Sequence, residues 1–327
     1  MWVENRESHS GLVFKDLDMQ NIVIVMGYNA SGKSTLVQKY IDDGYYRLNR
    51  DDTGGTLEKQ AELALQVINA GYNVVLDNTY PTIESRRQII AVATVKKINI
   101  VCVWLTTSFE DSQMNACLRM MDRYDRILSP EELKKSKDPN AFPPAAIYNY
   151  RKIFEEPTLA EGFVEIHKQK FVRKWPEDHV NKAILLDYDG TLRRSVGKEE
   201  WPEKTSDVEV LSGRKEVLQQ YVEQGYLLLG VSNQSAIAKG LPVQDVVDCF
   251  ERTNQLLGQR IEYLYCPHNI PPVICYCRKP APGMGAYFIK KHKLNPAECI
   301  MVGDQTTDKT FATRCGFQYK DAEVFFG

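Results

Sequence analysis

Residues 21–40 read NIVIVMGYNASGKSTLVQKY, and few folds can accommodate that order of residues. An apolar, largely β-branched run stops at Gly27, a polar turn follows, and Lys33, Ser34 and Thr35 open a helix-like stretch. The spacing is G-x-x-x-x-G-K-[ST], set by Gly27, Gly32, Lys33 and Ser34. Glycines at those positions let consecutive backbone N–H groups wrap a triphosphate such as that of ATP. Lys33 can neutralise β/γ charge, and the Ser34 hydroxyl can bind Mg²⁺. A chance Gly-rich turn is the plain alternative, and the flanking strand and helix patterns weigh against it.

The same rhythm continues along the chain. YNVVLDN and INIVCVWL are further β-branched runs, and TLEKQAELALQVINAG is a helix-like stretch closing on Gly71. KWPEDHVNK then reads as a linker, after which AILLDYDG, YLLLGVSN and CIMVGD restart the pattern. LSPEEL and LNPAEC carry a cap residue, a proline and a glutamate in the order that starts a helix. The expectation is α/β, with two parallel-sheet domains over residues 1–178 and 179–327. A length of 327 residues agrees, since single cores seldom grow beyond about 250–300 residues.

A formal charge of −2 excludes binding by bulk positive charge, so a phosphate-rich ligand needs a local basic patch. No apolar run approaches the ~20 residues that span a bilayer. The first ten residues, MWVENRESHS, are polar and unlike a signal peptide. The expected location is therefore intracellular, cytoplasmic or nuclear, with no membrane partner. In that reducing setting the 8 cysteines should be thiols or metal ligands rather than disulfides.

Three segments of the first half supply further chemistry. In GYYRLNRDDTGG a carboxylate follows a strand at the ligand-facing end of a parallel sheet, so Asp51 or Asp52 can accept a proton from an attacking hydroxyl. One of the two can equally cap the next helix. VVLDNTYP places Asp77 at another strand end, for a metal, a substrate or a cap. Arg119, Arg123 and Arg126 precede a Lys-rich polar segment, the pattern of a lid closing over a γ-phosphate or of a solvated helix face. Together with YNYRKIFEEPTLAEGF, these segments resemble the kinase module of polynucleotide kinase-phosphatases over Asn21 to Trp175. The resemblance implies an ATP-dependent 5′-hydroxyl polynucleotide kinase, with Asp51 as general base and Arg119 or Arg123 as lid arginine.

In the second half LLDYDGTL sets Asp187 and Asp189 two apart at a strand end. Period two puts both on one side if the strand continues that far. One carboxylate can attack phosphorus while the other protonates the leaving oxygen and later activates water. Ser232 offers a hydroxyl donor, Lys279 a fixed charge, and Asp304 and Asp308 further acids for Mg²⁺ beside Asp187 and Asp189. Singly, each has a bland alternative as a cap, a solvated lysine or a turn acid. In this order they resemble haloacid-dehalogenase-type phosphatases over Lys182 to Gly327. The resemblance implies Asp187 as nucleophile, Asp189 as acid and base, and Ser232 with Lys279 on the phosphoryl group.

Between Ser232 and Asp304 lies CPHNIPPVICYCRKPAP. Cys266, His268, Cys275 and Cys277 have C-x-H and C-x-C spacing, suited to tetrahedral zinc. Four protein ligands leave no open position, so the ion is expected to be structural, pinning the loop that delivers Lys279. This stretch is similar to the zinc loop of histidinol-phosphate and heptose-bisphosphate phosphatases.

The leading expectation is a bifunctional enzyme acting on DNA or RNA ends, kinase at the 5′ end and phosphatase at the 3′ end, with a ligase as natural partner. A small-molecule kinase/phosphatase for a sugar or amino-alcohol phosphate is the alternative. Intact Lys33, Asp51, Asp187 and Asp189 argue against a scaffold with dead sites.

Overall fold

The computed structural model describes residues 20–269, 272 and 274–327; the polar N-terminal decapeptide lies outside them. The described chain forms two compact units. One contains residues up to 112 together with 146–174, and the other contains 113–145 together with 175–327.

In the first unit β1 (Asn21–Met26) enters the phosphate-loop segment and α1 (Lys33–Asp42), followed by β2 (Tyr46–Leu48), the short α2 (Arg50–Thr53) and α3 (Leu57–Asn69). Then come β3 (Val74–Asp77), α4 (Ile83–Lys96), β4 (Asn99–Leu105) and the start of α5 (Phe109–Tyr124). The chain re-enters this unit after α6 (Pro130–Lys135), through α7 (Ala145–Ile153) and β5 (Glu165–Gln169). The five strands are parallel in the order β2-β3-β1-β4-β5.

Period two divides the central strand between two cores. Ile22, Ile24 and Met26 join Ala61, Ala64 and Ile68 of α3 and Ile89 and Ala93 of α4. Val23 and Val25 join Val37 and Tyr40 of α1. A strand apolar on both faces must be covered on both faces, which explains the unbroken run in the sequence.

The second unit repeats the plan with β6 (Ala183–Leu186), the antiparallel pair β7 (Arg193–Ser195) and β8 (Val208–Val210), α8 (Arg214–Glu223) and β9 (Leu227–Asn233). It continues with α9 (Val243–Leu257), β10 (Glu262–Cys266), α10 (Gly283–His292), β11 (Ile300–Gly303), α11 (Thr306–Cys315), β12 (Gln318–Asp321) and α12 (Ala322–Phe326). Its parallel sheet runs β10-β9-β6-β11-β12. Ile184, Leu186, Leu218, Val246, Phe250 and Phe325 share its core.

Both sheets keep their first strand in the middle, with β3 and β4 beside β1, and β9 and β11 beside β6. The chain leaves to one side and returns on the other, so each sheet has its switch point at the C-terminal end of that strand, where open α/β sheets bind ligands. Ser129 and Glu132 form the expected capping box on α6, whereas the LNPAEC stretch makes only a turn of 3₁₀ helix, Pro296–Glu298, capped by Asn295.

Candidate active sites and metal centre

The first switch point holds the glycine loop. Gly32 sits at φ 98° as the cap of α1, a conformation that disfavours side chains, and Lys33 folds back to donate to the carbonyls of Gly27 at 3.0 Å and Tyr28 at 2.6 Å. Ser34 Oγ donates to Asp77 Oδ2 at 3.2 Å, and Arg47 reaches the same oxygen with Nε at 3.1 Å and Nη2 at 2.8 Å. Asp77 is fully buried, and its Oδ1 has no hydrogen-bond partner among the described residues. A buried, unsatisfied carboxylate oxygen beside the Ser34 hydroxyl fits two of the oxygen ligands of a Mg²⁺ ion, the rest coming from water and phosphate.

Two amides hang α2 on the end of β3. Asn49 caps it through Oδ1, accepting from Asp51 N at 2.7 Å, and donates Nδ2 to Asp77 O at 2.6 Å. Asn78 Oδ1 accepts from Arg50 N at 3.1 Å. The paired acids then separate. Asp52 is bound by Arg47, whereas the exposed Asp51 carboxylate accepts no hydrogen bond or ion pair among the described residues. The EEPTLAEGF stretch is tied down by Glu161, which forks onto the fully buried Arg86 at 2.7 and 2.9 Å. Arg86 also donates to Tyr80 O and Glu155 O, fixing the turn after β3.

The arginines expected to form a lid are held by their own segment. Arg119 Nη1 donates to Asn140 Oδ1 at 3.3 Å, Arg123 pairs with Asp138 at 3.0 Å, and Arg126 forks onto Glu132. Lys33 and Asp51 belong to the first unit, and Arg119, Arg123 and Arg126 to the second.

At the second switch point β6 ends at Leu186, one residue short of the acids, so a turn and not the strand pleat relates Asp187 to Asp189. The turn is closed by Leu192 N and Arg193 N, both donating to Tyr188 O. Asp187, Asp304 and Asp308 bring carboxylate oxygens within 4.8 Å of one another. Lys279 Nζ lies between two of them, 2.5 Å from Asp187 Oδ1 and 2.7 Å from Asp308 Oδ1. Burial pushes the Asp187 carboxyl up from its ordinary value; Lys279 opposes this, and the Asp308 and Asp189 charges add to it. Burial alone would lower the pKa of Lys279, but the two carboxylates outweigh it and hold the ammonium above its usual value. Three acids against one ammonium leave an excess of negative charge, and a divalent cation fits that excess.

Asp189 stands apart from this trio, although its spacing groups it with the metal acids. Its Oδ1 accepts from Arg193 Nε at 2.8 Å and its Oδ2 from Gln234 Nε2 at 2.7 Å. Gln234 also bonds Ser232 Oγ at 2.9 Å, so one amide links two expected site residues.

The four Cys/His positions converge. Cys266 Sγ lies 3.7 Å from Cys275 Sγ and 3.4 Å from His268 Nδ1, and Cys277 Sγ lies 3.3 Å from the same nitrogen. Tetrahedral zinc with Zn–S of ~2.3 Å and Zn–N of ~2.0–2.1 Å requires donor separations of about 3.8 Å between sulfurs and about 3.5 Å between sulfur and nitrogen. None of the eight cysteines is in a disulfide, and the donor set of Cys266, His268, Cys275 and Cys277 fits a closed metal site.

A family model for an AAA domain matches residues 22–133, and a HAD-hydrolase-like model matches residues 276–319. The D-glycero-β-D-manno-heptose-1,7-bisphosphate 7-phosphatase of Pasteurella multocida is 37% identical over 139 residues, 39% of this chain and 74% of that protein. The chain belongs to the haloacid-dehalogenase-like phosphatases. That membership is carried by its second domain. The bifunctional polynucleotide phosphatase/kinase of Schizosaccharomyces pombe is 33% identical over 190 residues, 58% of this chain, and the match spans only 40% of that protein's length. A solved structure of the Pnkp1/Rnl/Hen1 RNA repair complex aligns over 93% of this chain and 96% of that one, at 16% identity and a TM-score of 0.32. A kinase-like domain thus precedes a haloacid-dehalogenase-like phosphatase domain, a pair that implies ATP and Mg²⁺.

For a haloacid-dehalogenase-like phosphatase the expected residues Asp187, Ser232, Lys279, Asp304 and Asp308 all lie at the carboxyl ends of parallel strands or in the segments that follow them. Sequence reasoning missed Arg193, Gln234 and Asn233 here, and Arg47 and Arg86 in the kinase-like domain. Asn233 ends the quoted YLLLGVSN and Gln234 follows it, where polar residues at the end of a buried strand are a legible signal. Among the described residues no helix is long and apolar enough to cross a membrane.

Proposed function

We propose that the chain heals nucleic-acid ends, phosphorylating a 5′-hydroxyl from ATP with its first domain and removing a 3′-phosphate with its second. The observation that carries this reading is the presence in one chain of two equipped phosphoryl-transfer sites of opposite sense. On a single hydroxyl of a small molecule the two would undo each other. On a polynucleotide they act at different ends and leave termini that a ligase can join. The match to a polynucleotide phosphatase/kinase supports the same reading.

In the kinase-like domain the loop amides and Lys33 would hold the phosphates, and Ser34 and Asp77 would hold Mg²⁺. The 5′-hydroxyl oxygen attacks the γ-phosphorus, its proton passes to Asp51, and ADP leaves. Asp52 is withdrawn from this role by Arg47.

In the phosphatase domain Asp187 attacks phosphorus while Asp189 gives its proton to the departing sugar oxygen. Water then attacks the aspartyl-phosphate, giving a proton back to Asp189, and phosphate leaves Asp187. Ser232 and Lys279 bind the phosphoryl oxygens. Asp187, Asp304 and Asp308 would hold Mg²⁺, which offsets repulsion between the phosphate and the attacking carboxylate. Cys266, His268, Cys275 and Cys277 would hold zinc, ordering the loop two residues before Lys279.

The heptose-bisphosphate phosphatase match favours a second reading for the phosphatase alone, a sugar phosphate as substrate. One experiment separates them: labelled ATP transfer to a 5′-hydroxyl oligonucleotide, and phosphate release from a 3′-phosphorylated oligonucleotide beside a panel of sugar phosphates. End healing expects both oligonucleotide reactions. Phosphate release from a sugar phosphate alone, with no oligonucleotide phosphorylated, would overturn it.

A further inference from the structure

The sequence after the acid pair runs GTLRR, and the first arginine does something unusual for its type. Arg193 is 1% exposed although arginine is seldom fully buried without a partner. Its guanidinium is held by two hydrogen bonds and two aromatic rings. Nε donates to Asp189 Oδ1 at 2.8 Å, and Nη1 donates to Thr253 Oγ1 at 3.1 Å. Thr253 is itself fixed, donating to Cys249 O at 2.7 Å. The guanidinium carbon lies 4.8 Å from the centre of the Phe250 ring and 5.3 Å from that of Tyr188. The Tyr188 ring is anchored through its hydroxyl to Asn254 Oδ1 at 3.0 Å. Thr253, Asn254 and Phe250 all belong to α9, so one helix sets the plane and direction of the guanidinium.

The other oxygen of Asp189 is held as firmly. Gln234 Nε2 donates to Oδ2, and the Gln234 backbone N donates to Cys266 O at 2.8 Å. Asp189 is therefore gripped from two elements, α9 through Arg193 and the end of β10 through Gln234. A carboxylate that must deliver a proton along one direction gains from such fixing, because proton transfer needs hydrogen-bond reach and alignment.

We propose that Arg193 is the positioning residue of the phosphatase, a buried strut from α9 that aims Asp189 at the oxygen leaving the substrate. This rests on the assignment of Asp189 as general acid. Arg193 touches neither the phosphoryl group nor the leaving group, and acts only through Asp189.

Leaving-group chemistry tests it. An alkyl phosphomonoester expels an alkoxide and needs the proton; p-nitrophenyl phosphate expels a stable phenolate and does not. The ratio kcat/KM covers only steps up to departure of the leaving group. The full-length enzyme, Asp189→Asn, Arg193→Met and Arg193→Lys are assayed with Mg²⁺ on p-nitrophenyl phosphate and on the best alkyl ester from a panel of 3′-phosphorylated oligonucleotide and sugar phosphates. Asp189→Asn should lose ~10²-fold or more in kcat/KM on the alkyl ester and much less on the aryl ester. Arg193→Met should follow the same pattern, with a fall of about 10²-fold against under about threefold, and should show a burst of p-nitrophenolate as later turnover slows. Arg193→Lys, which keeps one donor but not the planar fork, should lie between them. If Asp189→Asn discriminates between the esters and neither Arg193 variant does, the strut is wrong and the acid assignment survives. If Asp189→Asn does not discriminate, both fall. An equal loss on both esters in the Arg193 variants, including the milder Lys, marks a merely structural role and also overturns the proposal.

Discussion

The side chain of Asn233 closes a two-bond clamp on the backbone of Lys279: Nδ2 donates to Lys279 O at 3.1 Å, and Oδ1 accepts from Lys279 N at 2.9 Å. The last residue of β9 thereby decides where a lysine 46 positions later enters the acid cluster. Asn233→Ala should remove about 2 kcal/mol of stability, about 1 kcal/mol for each net hydrogen bond. Phosphatase turnover should fall about tenfold or more as the ammonium loses its place. Thermal melting and phosphate release, read on the same preparation, check both; unchanged turnover with lowered stability would reject the clamp's functional part.

Gly190 has φ +88°, and a Cβ there would lie 2.4 Å from Asp304 Oδ2. Alanine at this position meets both a left-handed backbone, disfavoured by about 1–2 kcal/mol, and the acid itself. Asp304, which also accepts from Thr191 Oγ1 at 3.3 Å, must turn away. Gly190→Ala is expected to raise the Mg²⁺ concentration needed for half-maximal phosphatase activity by about tenfold, within the range seen when groups supporting a metal site are disturbed. A Mg²⁺ titration of the variant measures it, and kinase activity should stay as it was.

Asp51 and Asp52 are neighbours with different surroundings. Asp51→Ala should lower 5′-phosphorylation ~10²-fold or more, the scale of a lost general base. Asp52→Ala removes an exposed ion pair with Arg47, worth no more than about 1 kcal/mol, so its effect should stay within severalfold. Rates on a 5′-hydroxyl oligonucleotide give the comparison. The reverse order of severity would move the base by one residue.

Zinc should be present at about one ion per chain and survive removal of Mg²⁺, because four protein ligands close its sphere. Cys275→Ser should lower zinc content and phosphatase activity together, while Asp187→Asn abolishes activity with zinc content intact. Elemental analysis beside the activity assay decides; metal-free protein from a chelator-free purification would sink the assignment.

Glu161→Gln leaves the fully buried Arg86 without its counter-charge. Removing one partner of a buried pair is destabilising by roughly 3–5 kcal/mol. Denaturant unfolding should show this loss in the kinase-like domain, where α4, Tyr80 O and the EEPTLAEGF stretch share that guanidinium. A change below about 1 kcal/mol would mean that water reaches Arg86.

The motifs were legible because their chemistry is local. A phosphate loop uses consecutive backbone amides, and C-x-H and C-x-C place donors within reach by chain connectivity alone. Unbroken β-branched runs announced strands covered on both faces. The acid pair shows where local reasoning stops. Period two predicts a shared side for Asp187 and Asp189, but β6 ends at Leu186, and the turn sends one carboxylate to Lys279 and the other to Arg193 and Gln234. Segment 113–145 lies in sequence between β4 and β5 of the first sheet yet groups with the second unit.

By itself, then, the sequence determined the two α/β sheets, the phosphate loop, the acid pair and the thiol cluster, since each depends on residue type at short spacing. Only the tertiary structure decided the partners: Ser34 with Asp77 at 43 residues' separation, Arg193 with Thr253 at 60, Lys279 with Asp187 at 92. Those meetings depend on strand order and register. β1 lies beside β3, and β6 beside β9 and β11, so within each sheet the carboxyl ends of strands far apart in the chain open onto that sheet's own crevice. Arg47 of β2 pairs with Asp52 five residues on, and strand order decides only that the same guanidinium also meets Asp77 at the end of β3.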